Sequence, residues 1–258
     1  MKLSEISADK RSDLLSKVAS IARQAAMKLT RPVTYISADS NPTTNVDAEV
    51  SSFLRLALSK LIDIPVLSEE DEVRFSSRTS EKWIVDPVDG TLNFLSGSPD
   101  VAISIALVDE PQLVQLAVVF LPFHQQLFSA QRHRGSFLNG VQLKSRGRTR
   151  IAAYGIPGNA QANHLDLIPP LQRCIAAGYF LRQSGSAAVD ICRVAQGNWC
   201  AYFQRRLFIW DVAAADLIAT EAGATSRISM HQDGVTCDYI VTGSATEFLE
   251  FTNEIRWE

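Results

Sequence analysis

Trp83-Ile84-Val85-Asp86-Pro87-Val88-Asp89-Gly90-Thr91 is a short apolar run that empties into two carboxylates, a proline and a glycine. An apolar run of this length, stopped by turn-forming residues, reads as a buried strand. The turn behind it gathers carboxylates and free backbone N–H groups in one place, at the end of an element, where function often sits. Such a cluster repels itself unless cations occupy it, and an all-oxygen ligand set suits hard Mg²⁺. The amides around Gly90 and Thr91 can also meet phosphate oxygens if a helix begins there.

On the N-terminal side two amphipathic helices are expected. The first carries Leu14, Val18, Ile21, Ala22, Ala25 and Leu29 at helical spacing and stops at Arg31-Pro32. The second carries Val50, Phe53, Leu54, Ala57, Leu58 and Leu61, with Thr44 as N-cap and Asp47 three residues on. A short strand over 64–67 then precedes the quoted stretch. On the C-terminal side, 101–108 and 113–120 read as longer strands split by Asp109-Glu110-Pro111, and Asn139-Gly140 as the type I′ turn of a hairpin. Beyond residue 150 strands at 151–154, 179–182, 200–204 and 239–242 alternate with helices at 164–176, 186–195 and 210–222, the last closed by Gly223. The expected fold is a layered α/β arrangement of two pseudo-domains, 1–150 and 151–258, meeting in the basic stretch 144–150. Lys144, Arg146, Arg148 and Arg150 read as a solvated loop or an anion-steering patch, and Trp83 and Trp210 as core.

Of the 258 residues 46% are hydrophobic and 21% charged, which supports a sizeable core. A formal net charge of −3 argues against a general nucleic-acid binder. Met1 to Lys10 has no signal-peptide apolar core, and no run approaches the ~20 apolar residues of a membrane span. Cys174, Cys192, Cys200 and Cys237 form no CxxC pair and read as reduced, buried thiols of a cytoplasmic protein. The four histidines form no HExxH pattern, so zinc-hydrolase chemistry has little support.

Further acids stand at element ends: Glu69-Glu70 after a short strand, Asp47 at one helix start and Asp211 at another. Singly, Asp47 reads as a cap, Asp211 as a charge favoured by a helix dipole and Glu69-Glu70 as a solvated turn. In order along the chain, however, several motifs occur together. Asp86-Pro87-Val88-Asp89-Gly90-Thr91 resembles the DPxDGT signature of the inositol monophosphatase superfamily, and Trp210-Asp211-Val212-Ala213-Ala214 its second signature. Pro42-Thr43-Thr44-Asn45-Val46-Asp47, Ser68-Glu69-Glu70, Gly185-Ser186-Ala187-Ala188 and Glu221-Ala222-Gly223 match as well, from about residue 12 to about residue 245.

This resemblance implies an αβαβα sandwich of the inositol monophosphatase and fructose-1,6-bisphosphatase type, often a homodimer, with Mg²⁺-dependent and lithium-sensitive hydrolysis of a small phosphate monoester. Glu69, Asp86 and the Val88 carbonyl would hold one metal, and Asp86, Asp89 and Asp211 a second, with Glu69 helping at a weaker third. Thr91 and Asp47 would orient or activate the attacking water, and the Gly90 and Thr91 amides would touch phosphate. Gly185, Ser186, Ala187, Gln204, Arg205, Asp89 and Asp211 complete the expected substrate site. The roles agree with the chemistry, because phosphoryl transfer needs positioning and charge neutralisation more than covalent help.

Haloacid-dehalogenase-type chemistry also uses an Asp cluster after a strand, but here the second Asp is three positions on and Pro87 follows the first. A 3′(2′),5′-bisphosphate nucleotidase is favoured by Ser68-Glu69-Glu70 and opposed by Leu92-Asn93-Phe94, which resembles the inositol and sugar phosphatase branch. A non-catalytic, metal-binding protein on the same fold is the reading from outside enzymology. The chain departs from animal inositol monophosphatases at Gln204, where they resemble one another in carrying a Glu that accepts from inositol hydroxyls. An amide there, followed by Arg205 and Arg206, reads either as a surface loop with two solvated arginines or as the mark of a substrate other than free inositol monophosphate, a sugar phosphate or bisphosphate with a second anionic group.

Overall fold

The computed structural model describes residues 8–30, 35–37, 43–71, 81–109, 113–146, 149–156 and 167–243. Arg31-Pro32, Pro42, Glu110-Pro111, Arg148 and His164 lie outside them.

Two helices open the chain, α1 (Ala8–Ala26), followed by a 3₁₀ turn over Met27–Thr30, and α2 (Asn45–Leu61). Between them β1 (Tyr35–Ser37) and β2 (Thr43–Thr44) form a small antiparallel ribbon. Thr44 caps α2 through a full capping box, its hydroxyl accepting the Val46 and Asp47 amides while the Asp47 carboxylate accepts the Thr44 N–H at 3.0 Å.

The first large sheet comprises β3 (Val66–Ser68), β4 (Lys82–Asp89), β5 (Ala102–Asp109), β6 (Leu113–Leu121), β7 (Gln126–Gln131), β8 (Ser136–Leu138) and β9 (Val141–Gln142), in sequence order. β3 and β4 are parallel and the rest pair antiparallel. Asn139 and Gly140 both have positive φ, as a type I′ turn between β8 and β9 requires. α3 (Thr91–Ser96) is a single short helix hung on the end of β4.

The second sheet is ordered β11 (Phe180–Arg182), β10 (Ile151–Tyr154), β12 (Ala201–Phe208), β14 (Thr236–Thr242), β13 (Thr225–Met230). Three more helices accompany it: α4 (Ile168–Ala176), α5 (Ala187–Ala195) and α6 (Ile209–Glu221).

Side-chain alternation explains the layering. Ile103, Ile105 and Leu107 of β5 and Leu116, Val118 and Phe120 of β6 face α1 and α2. Ala102, Ala106, Ala117 and Val119 face α5 and α6 on the opposite side. Strands buried on both faces lose polar alternation and read as continuous apolar runs. α6 lies between the two sheets, which is why it is apolar nearly all round, with Trp210, Val212, Ala214, Leu217 and Ile218 buried. α4 covers the outer face of the second sheet, where Cys174 meets Ala152, Ala201 and Phe203. The order is therefore αβαβα.

Several boundaries differ from the sequence reading. β4 runs on through Asp89 instead of ending at Val85, and β12 runs to Phe208. α4 begins at Ile168 with Pro169 and Pro170 in its first turn, the place where a missing N–H costs nothing. β7 and β13 were not expected; β13 (Thr-Ser-Arg-Ile-Ser-Met) is a largely exposed edge without an apolar face.

α2 provides a stability test. Leu54 is fully buried against the first sheet and Leu56, two residues on, is 61% exposed. Leu54→Ala should lower unfolding free energy by about 2–5 kcal/mol, and Leu56→Ala should stay within about 0.5 kcal/mol of wild type. Urea denaturation of the two variants measures both.

Candidate active site and metal centre

Pro87 has no N–H for the ladder, and the β4–β5 register slips there, from Asp86↔Ser104 to Asp89↔Ala102. The slip inserts one residue, a bulge, and the freed Val88 N–H donates to Asp86 Oδ1 at 2.9 Å. Gly90 follows with φ +92°; a β-carbon there would meet the Asp100 carbonyl at 2.9 Å. The turn is tied down by Asn93, whose amide donates to the Asp100 carbonyl (2.6 Å) and to the Ser184 carbonyl (2.9 Å) across the molecule.

Asp89 reaches the N-terminus of α5. Its Oδ2 accepts from the Ser186 hydroxyl at 2.7 Å and from the Ala188 N–H at 2.6 Å, where the helix dipole favours negative charge. Ser186 in turn caps α5 by accepting the Val189 N–H. Asp211 sits in the first turn of α6 and accepts the Phe208 N–H at 3.1 Å. One carboxylate oxygen from each of Asp86, Asp89 and Asp211 lies within 4.8 Å of the other two. Glu69, just after β3, adjoins Asp86 and lines the same cleft.

Burial governs the protonation of these groups. It raises Glu69 to about 7 and Asp89 to about 6, the latter restrained by its Ser186, Ala188 and Ala187 hydrogen bonds. Asp86 and Asp211 are pushed well above the ordinary carboxylate range by burial and then by their acidic neighbours. Four oxygen-only side chains thus converge with no cationic side chain among them, and they fit a hard divalent cation such as Mg²⁺.

Beside the cluster, Asp47 is 2% exposed. Its Oδ2 accepts from the Thr44 N–H and hydroxyl, and its Oδ1 accepts from the Thr91 hydroxyl at 3.0 Å. The Thr91 hydroxyl also lies 3.1 Å from the Val88 carbonyl, so its one proton is held inside the protein and its lone pairs are left to accept from water.

The cluster opens on a cleft of about 500 Å³, a size suited to a small metabolite. Glu69, Asp86, Val88, Asp89, Gly90, Thr91, Gly185, Ser186, Ala187, Gln204 and Asp211 all line it. Asp47 reaches it through Thr91. Arg205 is a correction: its side chain is 18% exposed and its Nε lies 3.6 Å from Asp238 Oδ2, away from the cleft, and Arg206 lines the cleft in its place.

Sequence reasoning missed Asp190 and Tyr202, both buried in the cleft wall. Asp190 carried a signal, being the one acid on a helix whose neighbours Val189, Ile191 and Cys192 are all buried; burial raises it to about 8. Tyr202, within an apolar strand, carried none; its hydroxyl donates to Gln204 Oε1, and Gly155 makes room, since a β-carbon there would overlap the Gln204 amide.

The sequence profile of the inositol monophosphatase family matches residues 7–255. The chain belongs to the inositol monophosphatase family. The Nus factor SuhB of Haemophilus influenzae is 32% identical over 83% of this chain and 82% of its own. An inositol-1-monophosphatase of Rhizobium meliloti is 37% identical over 62% of this chain, and the match spans 61% of that relative's length. Among solved structures, the extragenic suppressor protein suhB of Bartonella henselae superposes with a TM-score of 0.82 at 25% identity, over 95% of this chain and 99% of its own. The two stretches that resemble the family's signatures, 86–91 and 210–214, begin at the β4 bulge and in the first turn of α6, and they supply Asp86, Asp89 and Asp211 of the cluster.

The raised carboxylates define a pH test. In the metal-free fold Glu69 and Asp89 hold protons up to about 7 and about 6, whereas unfolded they release them near their ordinary values of 4.5 and 3.8. The folded state then binds more protons than the unfolded one across this window, so stability falls as pH rises through it. Thermal melts in EDTA should show a lower Tm at about pH 8 than at about pH 5.5, with Mg²⁺ raising Tm more at the higher pH. A metal-free Tm that climbs over the same range would contradict this reading of the cluster.

Proposed function

We propose that this protein is a Mg²⁺-dependent phosphoric monoester hydrolase acting on a small metabolite, with water as the nucleophile. The observation that carries the reading is the convergence of Glu69, Asp86, Asp89 and Asp211 beside the Thr91–Asp47 pair at the head of one cleft. Glu69, Asp86, the Val88 carbonyl, Asp89 and Asp211 would hold the cations. Bound there, Mg²⁺ supplies Lewis-acid neutralisation of the phosphate and a nucleophile at neutral pH.

The chain's own groups do the rest. Asp47 accepts the Thr91 proton and fixes the hydroxyl, and the Thr91 oxygen accepts from and orients the attacking water. Gly90 and Thr91 line the cleft where α3 begins, so their amides are placed to meet phosphate, while Gly185, Ser186 and Ala187 present the N-terminus of α5. Gln204 faces the alcohol being released.

The relatives named Nus factor SuhB supply a second reading, a Nus factor in which the pocket is kept without turnover. The intact acid cluster with its Thr91–Asp47 pair favours hydrolysis. A cytoplasmic setting and a homodimer belong to the same proposal. The four cysteines are buried and free, and no described helix is long and apolar enough to cross a membrane.

Phosphate release from a panel of monoesters tests the reading. Turnover should vanish after chelation and return with Mg²⁺; undiminished turnover in excess EDTA would sink it. Thr91→Ala should lower kcat by about 100-fold or more with a smaller effect on KM. In ¹⁸O-labelled water, label should enter phosphate and not the Asp86 carboxylate.

A further inference from the structure

β12 reaches the cleft through a bulge. Its register against β14 passes from Gln204↔Tyr239 to Leu207↔Cys237, three steps on one strand against two on the other. The extra residue brings Arg206 into the left-handed region, φ +52°, which a residue with a β-carbon rarely adopts. Asp238, 6% exposed, holds the bulge. Its Oδ1 accepts the Arg206 N–H at 3.0 Å and lies 3.0 Å from His231 Nε2, and its Oδ2 faces Arg205.

Two neighbouring arginines therefore have different fates. Arg205 is drawn into the anchor. Arg206 is exposed, lines the cleft and makes no side-chain hydrogen bond or ion pair among the described residues. It is the one basic side chain among the described residues that line the cleft. Next to it, Gln204 gives its carbonyl oxygen to Tyr202, which leaves the amide N–H groups for a ligand. This wall of the cleft offers donors and a fixed positive charge, and strained backbone is kept where function requires it.

We propose that Arg206 is the specificity-determining residue of this wall, selecting phosphate monoesters whose alcohol part carries a second oxyanion, a phosphate or a carboxylate. The inference rests on the phosphatase reading of the same site. A guanidinium suits either oxyanion through paired N–H donors.

The test uses the full chain with Mg²⁺ and matched substrates: fructose 1,6-bisphosphate against fructose 1-phosphate, and gluconate 6-phosphate against glucitol 6-phosphate. The first pair reports a phosphate as the second oxyanion and the second pair a carboxylate. Wild type should prefer the doubly anionic member of at least one pair. Arg206→Ala should raise its KM by about tenfold or more, the effect of one charge-assisted hydrogen bond, and narrow the ratio within that pair. Arg206→Gly, which suits a φ of +52°, should narrow the ratio equally and separates recognition from folding. An equal effect on both members would assign Arg206 to the scissile phosphate and overturn the proposal. So would a wild-type preference for inositol 1-phosphate over every doubly anionic substrate, with the phosphatase reading left standing. If none of these is hydrolysed, the phosphatase reading is decided by the wider monoester panel. Calorimetric binding of the same pairs to wild type and Arg206→Ala then decides the role of Arg206 alone, equal binding of both members overturning it.

Discussion

Mutual repulsion among buried carboxylates is the constraint around which this molecule is organised. Asp86, Asp89 and Asp211 place oxygens within 4.8 Å of one another. At that distance and an effective dielectric of about 20, each like-charged pair costs roughly 3.5 kcal/mol. Three such pairs approach about 10 kcal/mol, comparable with the whole stability of an ordinary domain. The cluster cannot be fully ionised and unaccompanied. Protons can neutralise it, consistent with the upward shifts of all three and of Glu69, and so can divalent cations.

The surrounding elements keep the acids together in spite of that repulsion. Asp86 and Asp89 come from the end of β4, Glu69 from the end of β3 and Asp211 from the first turn of α6. α6 lies between both sheets, and Ser104 of β5 donates to the Trp210 carbonyl beside Asp211 at 3.3 Å. Asp89 is fastened to α5, and Asn93 fastens the same turn to Ser184 just before that helix. The acid cluster thus draws on segments from both sheets and the layer between them. Neither sheet alone contains it.

Much of this was legible in the sequence because the core is strongly patterned. The α1 and α2 stripes, the Thr44 cap, the Asn139-Gly140 turn and the doubly buried β5 and β6 each follow from local physics. What failed lacks a local signal. β13 is an exposed edge held by pairing with β14, and no apolar period marks it. The start of α4 needed the rule that prolines tolerate only a first turn. Tyr202 reads as one more apolar strand residue, and only the space above Gly155 reveals its bond to Gln204.

The most informative failures are the two bulges, since both defeat the period of two on which strand reading depends. In a regular strand Asp86 and Asp89, three apart, would point to opposite faces; the residue inserted at Pro87 lets Asp86 meet Asp211 while Asp89 meets α5. On β12, Tyr202 and Leu207 are five apart, yet both join the core between the sheets, because the residue inserted near Arg206 changes the parity. Parity reasoning from sequence alone had no means of choosing between Arg205 and Arg206. Each bulge frees a backbone N–H from its ladder, and in each an aspartate accepts it: Asp86 takes that of Val88 and Asp238 that of Arg206. A buried N–H without a partner would cost about 1–3 kcal/mol, enough to favour the regular ladder. The two aspartates offset that cost, so the backbone can depart from regular geometry at the two places where it enters the cleft.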